Sequence, residues 1–339
     1  MNVSNRQKQN DVVRSGLQPV ADSAACRLPG SGDKRSENPQ SNRRTTETHF
    51  MNDALSSSSP SPARRLRERL EQPGIIRSFA PHDVFTARVL EQAGIELLFL
   101  GGFGVSASML GLPDVGLTTL TEMAEAVRRM TSRLTVPLIA DGDNGHGELQ
   151  NVARTVREFE QAGAAGMLLE DQVSPKRCGH FSGKQVVPVE QWLDKLKRAL
   201  DTRRNPDFVL IARTDARAVE GLDAAIERAG RAADIGADLC FVEAPRSSDE
   251  LRQIARAVPG PQLANMLPGG VTPICSADDL QEMGFRIVVD PVATLLATGF
   301  VIRQLAGAMR QTGRVDQLRD SMLSFDEVKQ VLGLAEFLE

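Results

Sequence analysis

Five residues capable of chemistry each stand directly behind a short apolar run. Asp141 follows Leu138-Ile139-Ala140, Glu170 follows Met167-Leu168-Leu169, Arg213 follows Leu210-Ile211-Ala212, Glu243 follows Cys240-Phe241-Val242, and Asn265 follows Leu263-Ala264. Carboxylates, a guanidinium and a carboxamide together suit an anionic substrate bound beside a hard cation. Asp141-Gly142-Asp143 puts two carboxylates in a glycine-containing turn. With Glu170 they offer the oxygen donors that Mg²⁺ or Mn²⁺ takes, not the nitrogen and sulfur donors that zinc prefers. His146 and His180 are too few and too scattered for a zinc cluster. The competing use of Asp141 and Asp143 is to cap a helix beginning near residue 150. Arg213 is a natural carboxylate clamp, and an ion pair with Glu243 is its competing use. A second polar stretch, Lys176-Arg177-Cys178-Gly179-His180, lies between Pro175 and Gly183. Cations flanking a cysteine lower the thiol pKa, and a loop of this content can close over an anion.

The elements that must position these residues alternate along the chain. Apolar runs predict strands at 75–79, 96–100, 136–140, 166–169, 208–212, 238–242, 262–264 and 285–289. Helices are expected at 83–93, 121–133, 150–162, 189–200, 222–235, 251–258, 277–283 and 291–309. The strands are short and almost continuously apolar, as in a parallel sheet covered on both faces. Eight strand–helix units in about 240 residues predict an α/β fold of the (β/α)₈ barrel type, with chemistry at the C-terminal ends of the strands. A Rossmann reading fails, because Gly101-Gly102-Phe103-Gly104 is not a GxGxxG opening a helix. The 291–309 segment is apolar on most faces, more than one barrel wall needs, and so predicts a subunit contact.

Composition narrows the function classes. Forty Lys+Arg against 44 Asp+Glu in 339 residues give a net charge of −4, which excludes a dedicated nucleic-acid binder. Aromatics at 4% leave little for base stacking. No apolar run is long enough to span a bilayer. Cys26, Cys178, Cys240 and Cys275 form no CxxC pattern and point to a reducing cytoplasm. Residues 1–62 are rich in Ser, Asn, Arg, Gln and Pro and read as a disordered extension, with Met51 an internal candidate start. The stretch lacks the apolar segment of a signal peptide, and its acidic residues count against a transit peptide. Residues 63–339 form the barrel.

Glu170-Asp171-Gln172-Val173-Ser174-Pro175-Lys176-Arg177-Cys178-Gly179-His180 resembles the signature of the isocitrate lyase/phosphoenolpyruvate mutase superfamily. Leu110-Gly111-Leu112-Pro113-Asp114, Asp141-Gly142-Asp143, Ile211-Ala212-Arg213-Thr214-Asp215-Ala216 and Ala264-Asn265-Met266 resemble its other motifs, in order, across residues 67–339. The chain looks most like the group holding 2-methylisocitrate lyase, 2,3-dimethylmalate lyase and petal death protein. The resemblance implies a modified barrel whose eighth helix is exchanged between subunits of a homotetramer, a dimer of dimers. It implies Mg²⁺ (Mn²⁺ as a substitute) held largely through water by Asp114, Asp141, Asp143 and Glu170. It assigns substrate binding to Gly101, Gly102, Gly179, His180, Arg213, Glu243 and Asn265, and catalysis to Cys178, Arg213 and Glu243, with Cys178 as the acid. The implied reaction is cleavage of a C–C bond in a 2-hydroxy or 2-oxo di- or tricarboxylate such as 2,3-dimethylmalate, 2-methylisocitrate or oxaloacetate. The alternative is a carboxyphosphonoenolpyruvate phosphonomutase. Three positions depart from the family pattern. Gly101 replaces a hydroxyl residue, Asp143-Asn144-Gly145-His146-Gly147 replaces Asp-Thr-Gly-Tyr-Gly, and Leu267 stands where 2-methylisocitrate lyases have Thr. The last change favours a dicarboxylate over a tricarboxylate.

Overall fold

The computed structural model describes residues 60–177, 179 and 183–338. The expected disordered extension lies outside them, apart from Pro60, Ser61 and Pro62. Eight parallel strands run in the order β6-β5-β4-β3-β2-β1-β8-β7. They are β1 (Ile76–Phe79), β2 (Leu97–Leu100), β3 (Leu138–Asp141), β4 (Gly166–Glu170), β5 (Val209–Thr214), β6 (Leu239–Val242), β7 (Leu263–Asn265) and β8 (Ile287–Asp290). A parallel bridge between Cys240 and Gln262 joins β6 to the residue preceding β7 and closes the barrel. All eight expected strands are present, shifted by one or two residues. β3, β4, β5 and β7 run on to include Asp141, Glu170, Arg213 and Asn265, which the sequence places just after the strands.

Strand residues alternate between two apolar layers, because successive side chains point to opposite faces. Ile139, Leu168, Val209, Ile211, Phe241, Leu263 and Ile287 fill the barrel interior. Leu138, Ala140, Leu169, Leu210, Ala212 and Cys240 pack outward with the helices, around Trp192 and Phe159. The helix Pro62–Glu71, absent from the sequence expectation, begins at the N-cap Ser61, whose Oγ accepts from the Arg64 amide. It buries Ala63 and Leu66 with the interior layer.

The competing use of Asp141 and Asp143, as helix caps, is not what forms. Helix Leu149–Gln161 is capped instead by a reciprocal pair, Glu148 and Asn151. The final long helix, Ala293–Thr312, buries none of its residues within the single chain. Phe300, Ile302 and Met309 are more than half exposed on it. Beyond it lie the helix Phe325–Leu332 and two 3₁₀ segments, Asp316–Ser321 and Leu334–Phe337. Among the described residues no helix is long and apolar enough to cross a membrane.

Candidate active site

Each candidate polar residue stands two positions after a residue of the barrel interior. The pairs are Ile139 and Asp141, Leu168 and Glu170, Ile211 and Arg213, Phe241 and Glu243, and Leu263 and Asn265. Period-two alternation therefore turns all five side chains inward at the C-terminal rim. The rim encloses a cavity of about 260 Å³. Asp114, Asp141, Glu170, Lys176, Arg213, Glu243 and Asn265 contribute its polar lining, while Phe99, Phe103, Phe241, Leu267, Val292 and Leu296 contribute apolar lining.

The turn after β3 is tightly built. A Cβ on Gly142 would fall 2.6 Å from the Leu168 carbonyl oxygen, so only glycine lets this turn approach β4. Asp143 and His146 have left-handed backbones, as does Ala244 beside Glu243. These three are the only non-glycine residues of that kind among the described residues, and all follow the C-terminal ends of barrel strands. Asp141 accepts from the Asp143 amide at 3.0 Å and from the Gly102 amide at 3.1 Å. The Gly102 amide, assigned to substrate by the resemblance, is thus engaged by Asp141.

Lys176 gathers the acidic cluster. Its Nζ lies 2.6 Å from Asp114 Oδ1 and 2.7 Å from Asp143 Oδ1, with all three side chains buried. Burial pushes the Asp143 carboxyl up to about 7, despite the opposing pull of Lys176. Burial also raises Glu170 well above the carboxylate range, against the pull of Arg213. Burial alone would discharge Lys176, but Asp143, Asp141, Glu170 and Asp114 together hold its pKa well above the usual lysine value. From the sequence, the Lys176 charge is expected to act on the neighbouring cysteine. In the fold it goes to the carboxylates.

Arg213 sits at the centre of a second cluster. It pairs bidentately with Asp215, Nε to Oδ2 at 2.9 Å and Nη2 to Oδ1 at 3.1 Å. Its Nη2 lies 3.2 Å from Glu243 Oε2 and its Nε 3.4 Å from Glu170 Oε2. The ion pair with Glu243, weighed as the competing use of Arg213, is formed. Burial opposes the charge on Arg213, but Asp215, Glu243 and Glu170 raise its pKa further. Asp215 stays below the carboxylate range because Arg213 and Lys184 outweigh its burial. The Ala244 amide donates to Glu243 Oε1 at 2.9 Å. The guanidinium carbon lies 5.4 Å from the centroid of the Phe241 ring.

The fold thus brings together Gly101, Gly102, Asp114, Asp141, Glu170, Gly179, Arg213, Glu243 and Asn265 around one cavity, with Asp143 reached through Lys176. Cys178 and His180 lie outside the described residues. Sequence reasoning missed Lys176, Lys184 and Asp215 as site residues. Lys176 and Asp215 were inside quoted motifs, but nothing local in the sequence says which partner a loop lysine will find.

The cluster's chemistry fits a divalent cation. Its donors are hard oxygens, and Glu170 Oε1 is buried without a hydrogen-bond partner. No group of three His, Cys, Asp or Glu side chains among the described residues is placed to chelate an ion by itself.

Comparison with known proteins places the chain in a family. Residues 66–310 match the family model described as phosphoenolpyruvate phosphomutase. The 2,3-dimethylmalate lyase of Eubacterium barkeri is 40% identical over 277 residues, covering 82% of this chain and 96% of that protein. The chloroplastic carboxyvinyl-carboxyphosphonate phosphorylmutase of Arabidopsis thaliana is 39% identical, covering 81% and 82%. Oxaloacetate acetylhydrolase, solved with the inhibitor 3,3-difluorooxalacetate, superposes with a TM-score of 0.77 at 35% identity, covering 82% of this chain and 95% of that one. Phosphonopyruvate hydrolase, solved with oxalate and Mg²⁺, superposes with a TM-score of 0.74 at 26% identity, covering 82% and 97%. The chain belongs to the isocitrate lyase/phosphoenolpyruvate mutase superfamily.

Proposed function

We propose that the protein is a Mg²⁺-dependent carbon–carbon lyase acting on a 2-hydroxy or 2-oxo dicarboxylate that carries an alkyl substituent or none, such as 2,3-dimethylmalate or oxaloacetate. The observation that carries this reading is the two-sided cavity. Carboxylates and Arg213 line it together with Phe241, Leu267, Val292 and Leu296. A third substrate carboxylate would face desolvation beside Leu267, where a small alkyl group would bury favourably. The lyase names of the relatives support the reaction class.

Asp114, Asp141, Asp143 and Glu170 would hold Mg²⁺, partly through water, and Mn²⁺ would substitute. The ion would supply Lewis-acid stabilisation of negative charge developing on the substrate oxygen. Arg213, fixed by Asp215, orients a substrate carboxylate with a planar fork of donors. Asn265 and the backbone at Gly101 and Gly179 complete the binding surface, and we assign His180 to substrate binding as well. Among the described residues Glu243 is the one cavity carboxylate outside the ion-binding set, and we assign it the hydroxyl proton, that of a 2-hydroxy acid itself or of the hydrate a 2-oxo acid forms by adding one water. As the C–C bond breaks, the electron pair left on carbon takes a proton from Cys178. The surrounding Phe99, Phe103 and Phe241 exclude water that would otherwise quench the carbanion.

We also assign a cytoplasmic homotetramer in which Ala293–Thr312 packs on a neighbouring subunit. That none of its residues is buried in the single chain supports this. The deciding experiment is a side-by-side assay of 2,3-dimethylmalate, oxaloacetate, 2-methylisocitrate and carboxyphosphonoenolpyruvate, with Mg²⁺ and with excess EDTA. Turnover of a dicarboxylate that EDTA abolishes is expected. Turnover of carboxyphosphonoenolpyruvate alone would replace the lyase with a phosphonomutase, and full activity in EDTA would remove the ion.

A further inference from the structure

Lys184 is a buried cation that the proposed chemistry does not use. Its side chain is 3% exposed. Its Nζ donates to the Gly179 carbonyl at 2.5 Å and to Asp215 Oδ1 at 2.6 Å. Asp215, fully buried, is the carboxylate that grips Arg213 through both of its oxygens. Gly179 returns to the same guanidinium. A Cβ placed on it would lie 2.3 Å from Arg213 Nη2 and 2.7 Å from Glu243 Oε2. The Gly179 backbone therefore rests directly on the Arg213–Glu243 pair. Gly179, Lys184, Asp215 and Arg213 form a closed ring of contacts, and Lys184 is the link that joins its two halves.

Charge gives the ring a purpose beyond packing. Arg213 with its two nearest carboxylates, Asp215 and Glu243, carries a formal charge of −1, which repels an anionic substrate. Adding Lys184 brings the group to zero. A buried cation in contact with Asp215 has a larger effect than a solvated one, since water screens it little.

We propose that Lys184 is a positioning residue for the substrate clamp: by bridging Gly179 to Asp215 it fixes the loop backbone over Arg213 and neutralises the carboxylate that would otherwise outcompete a substrate anion. This rests on reading the cavity as a carboxylate-binding site. The depressed pKa of Asp215, to which Lys184 contributes after Arg213, is consistent with it.

The test uses the full chain and two measurements. Oxalate with Mg²⁺ serves as the probe anion in calorimetry, and an arginine-specific protease reports access to the Arg177–Cys178 bond. Lys184→Met should weaken oxalate binding by roughly 10- to 100-fold and speed cleavage after Arg177 by about tenfold or more through local opening. Adding Asp215→Asn to Lys184→Met removes the uncompensated charge and should recover a large part of the oxalate affinity. A purely structural lysine would make the double variant worse, not better. If Lys184→Met gives no soluble protein, Lys184→Gln carries the same measurements. Unchanged oxalate affinity and unchanged cleavage in a folded variant, or a double variant weaker than the single one, would overturn the proposal. If the wild type itself does not bind oxalate, the carboxylate-site reading fails, and the cleavage ratio alone still decides whether Lys184 holds the loop.

Discussion

Replacing Lys176 with methionine keeps most of the side chain's volume and removes one buried charge. In the wild type its ammonium lies 2.6 and 2.7 Å from two buried carboxylates. At an effective dielectric near 20, each contact is worth about 6 kcal/mol before desolvation. Removing one partner from a buried ion pair typically costs about 3–5 kcal/mol, since the other charge stays behind. Here two carboxylates stay behind, so the upper part of that range is expected in EDTA at pH 8. The cost should shrink towards pH 5.5. Asp143, pushed up to about 7 by burial even with Lys176 beside it, rises further once the lysine is gone and takes a proton instead of remaining an unpaired anion. Mn²⁺ should then restore stability by mass action, by about 2.7 kcal/mol at a concentration 100 times its Kd. It should also stabilise the variant more than the wild type, whose lysine already balances the cluster. The assay is urea unfolding at pH 5.5 and 8, with and without Mn²⁺. A variant as stable as wild type at pH 8 in EDTA, or one that Mn²⁺ leaves unchanged, would refute the argument.

Cys178→Ser should lower kcat by about 10²–10⁴-fold while leaving the Mg²⁺ affinity of the protein near wild type; retention of more than half of kcat on every substrate would remove Cys178 as the acid. Burial holds the His146 imidazole down at about 4, below its unfolded value near 6.5. The neutral ring therefore contributes stability that is complete above pH 6.5 and is lost as pH falls towards 4. Unfolding free energy should drop by about 2 kcal/mol between pH 6.5 and 5 on this account, and His146→Asn should flatten that part of the profile when the two are compared by urea titration. Phe300→Asp combined with Ile302→Lys, at two positions more than half exposed on Ala293–Thr312, should convert the expected tetramer to smaller species in sedimentation; a wild type that already sediments as a monomer would contradict the subunit exchange.

The barrel was legible because each strand is short, apolar and followed by a helix with its own period, so local pattern and global fold agree. The carboxylates and Arg213 were legible for a related reason. A charged residue at the end of an apolar run has few places to go in a barrel except the rim. Their inward aim needed one further step, the alternation that puts Arg213 above Ile211 and Glu170 above Leu168. Partner choice was the part that sequence left open. Lys176 was visible, but its run to Asp114 and Asp143 depends on three loops meeting, across 62 and 33 residues of chain. Lys184 was less visible still, eight residues after Lys176 with no motif of its own, because its importance comes from Asp215 already being committed to Arg213. The capping use considered for Asp141 and Asp143 lost to Glu148 and Asn151, which stand at the helix start itself. Nearness in sequence won there, as it does for caps generally. The candidate site cluster is the opposite case. Its charges meet only because the barrel closes, so residue type named the candidates and the fold alone decided which of them pair.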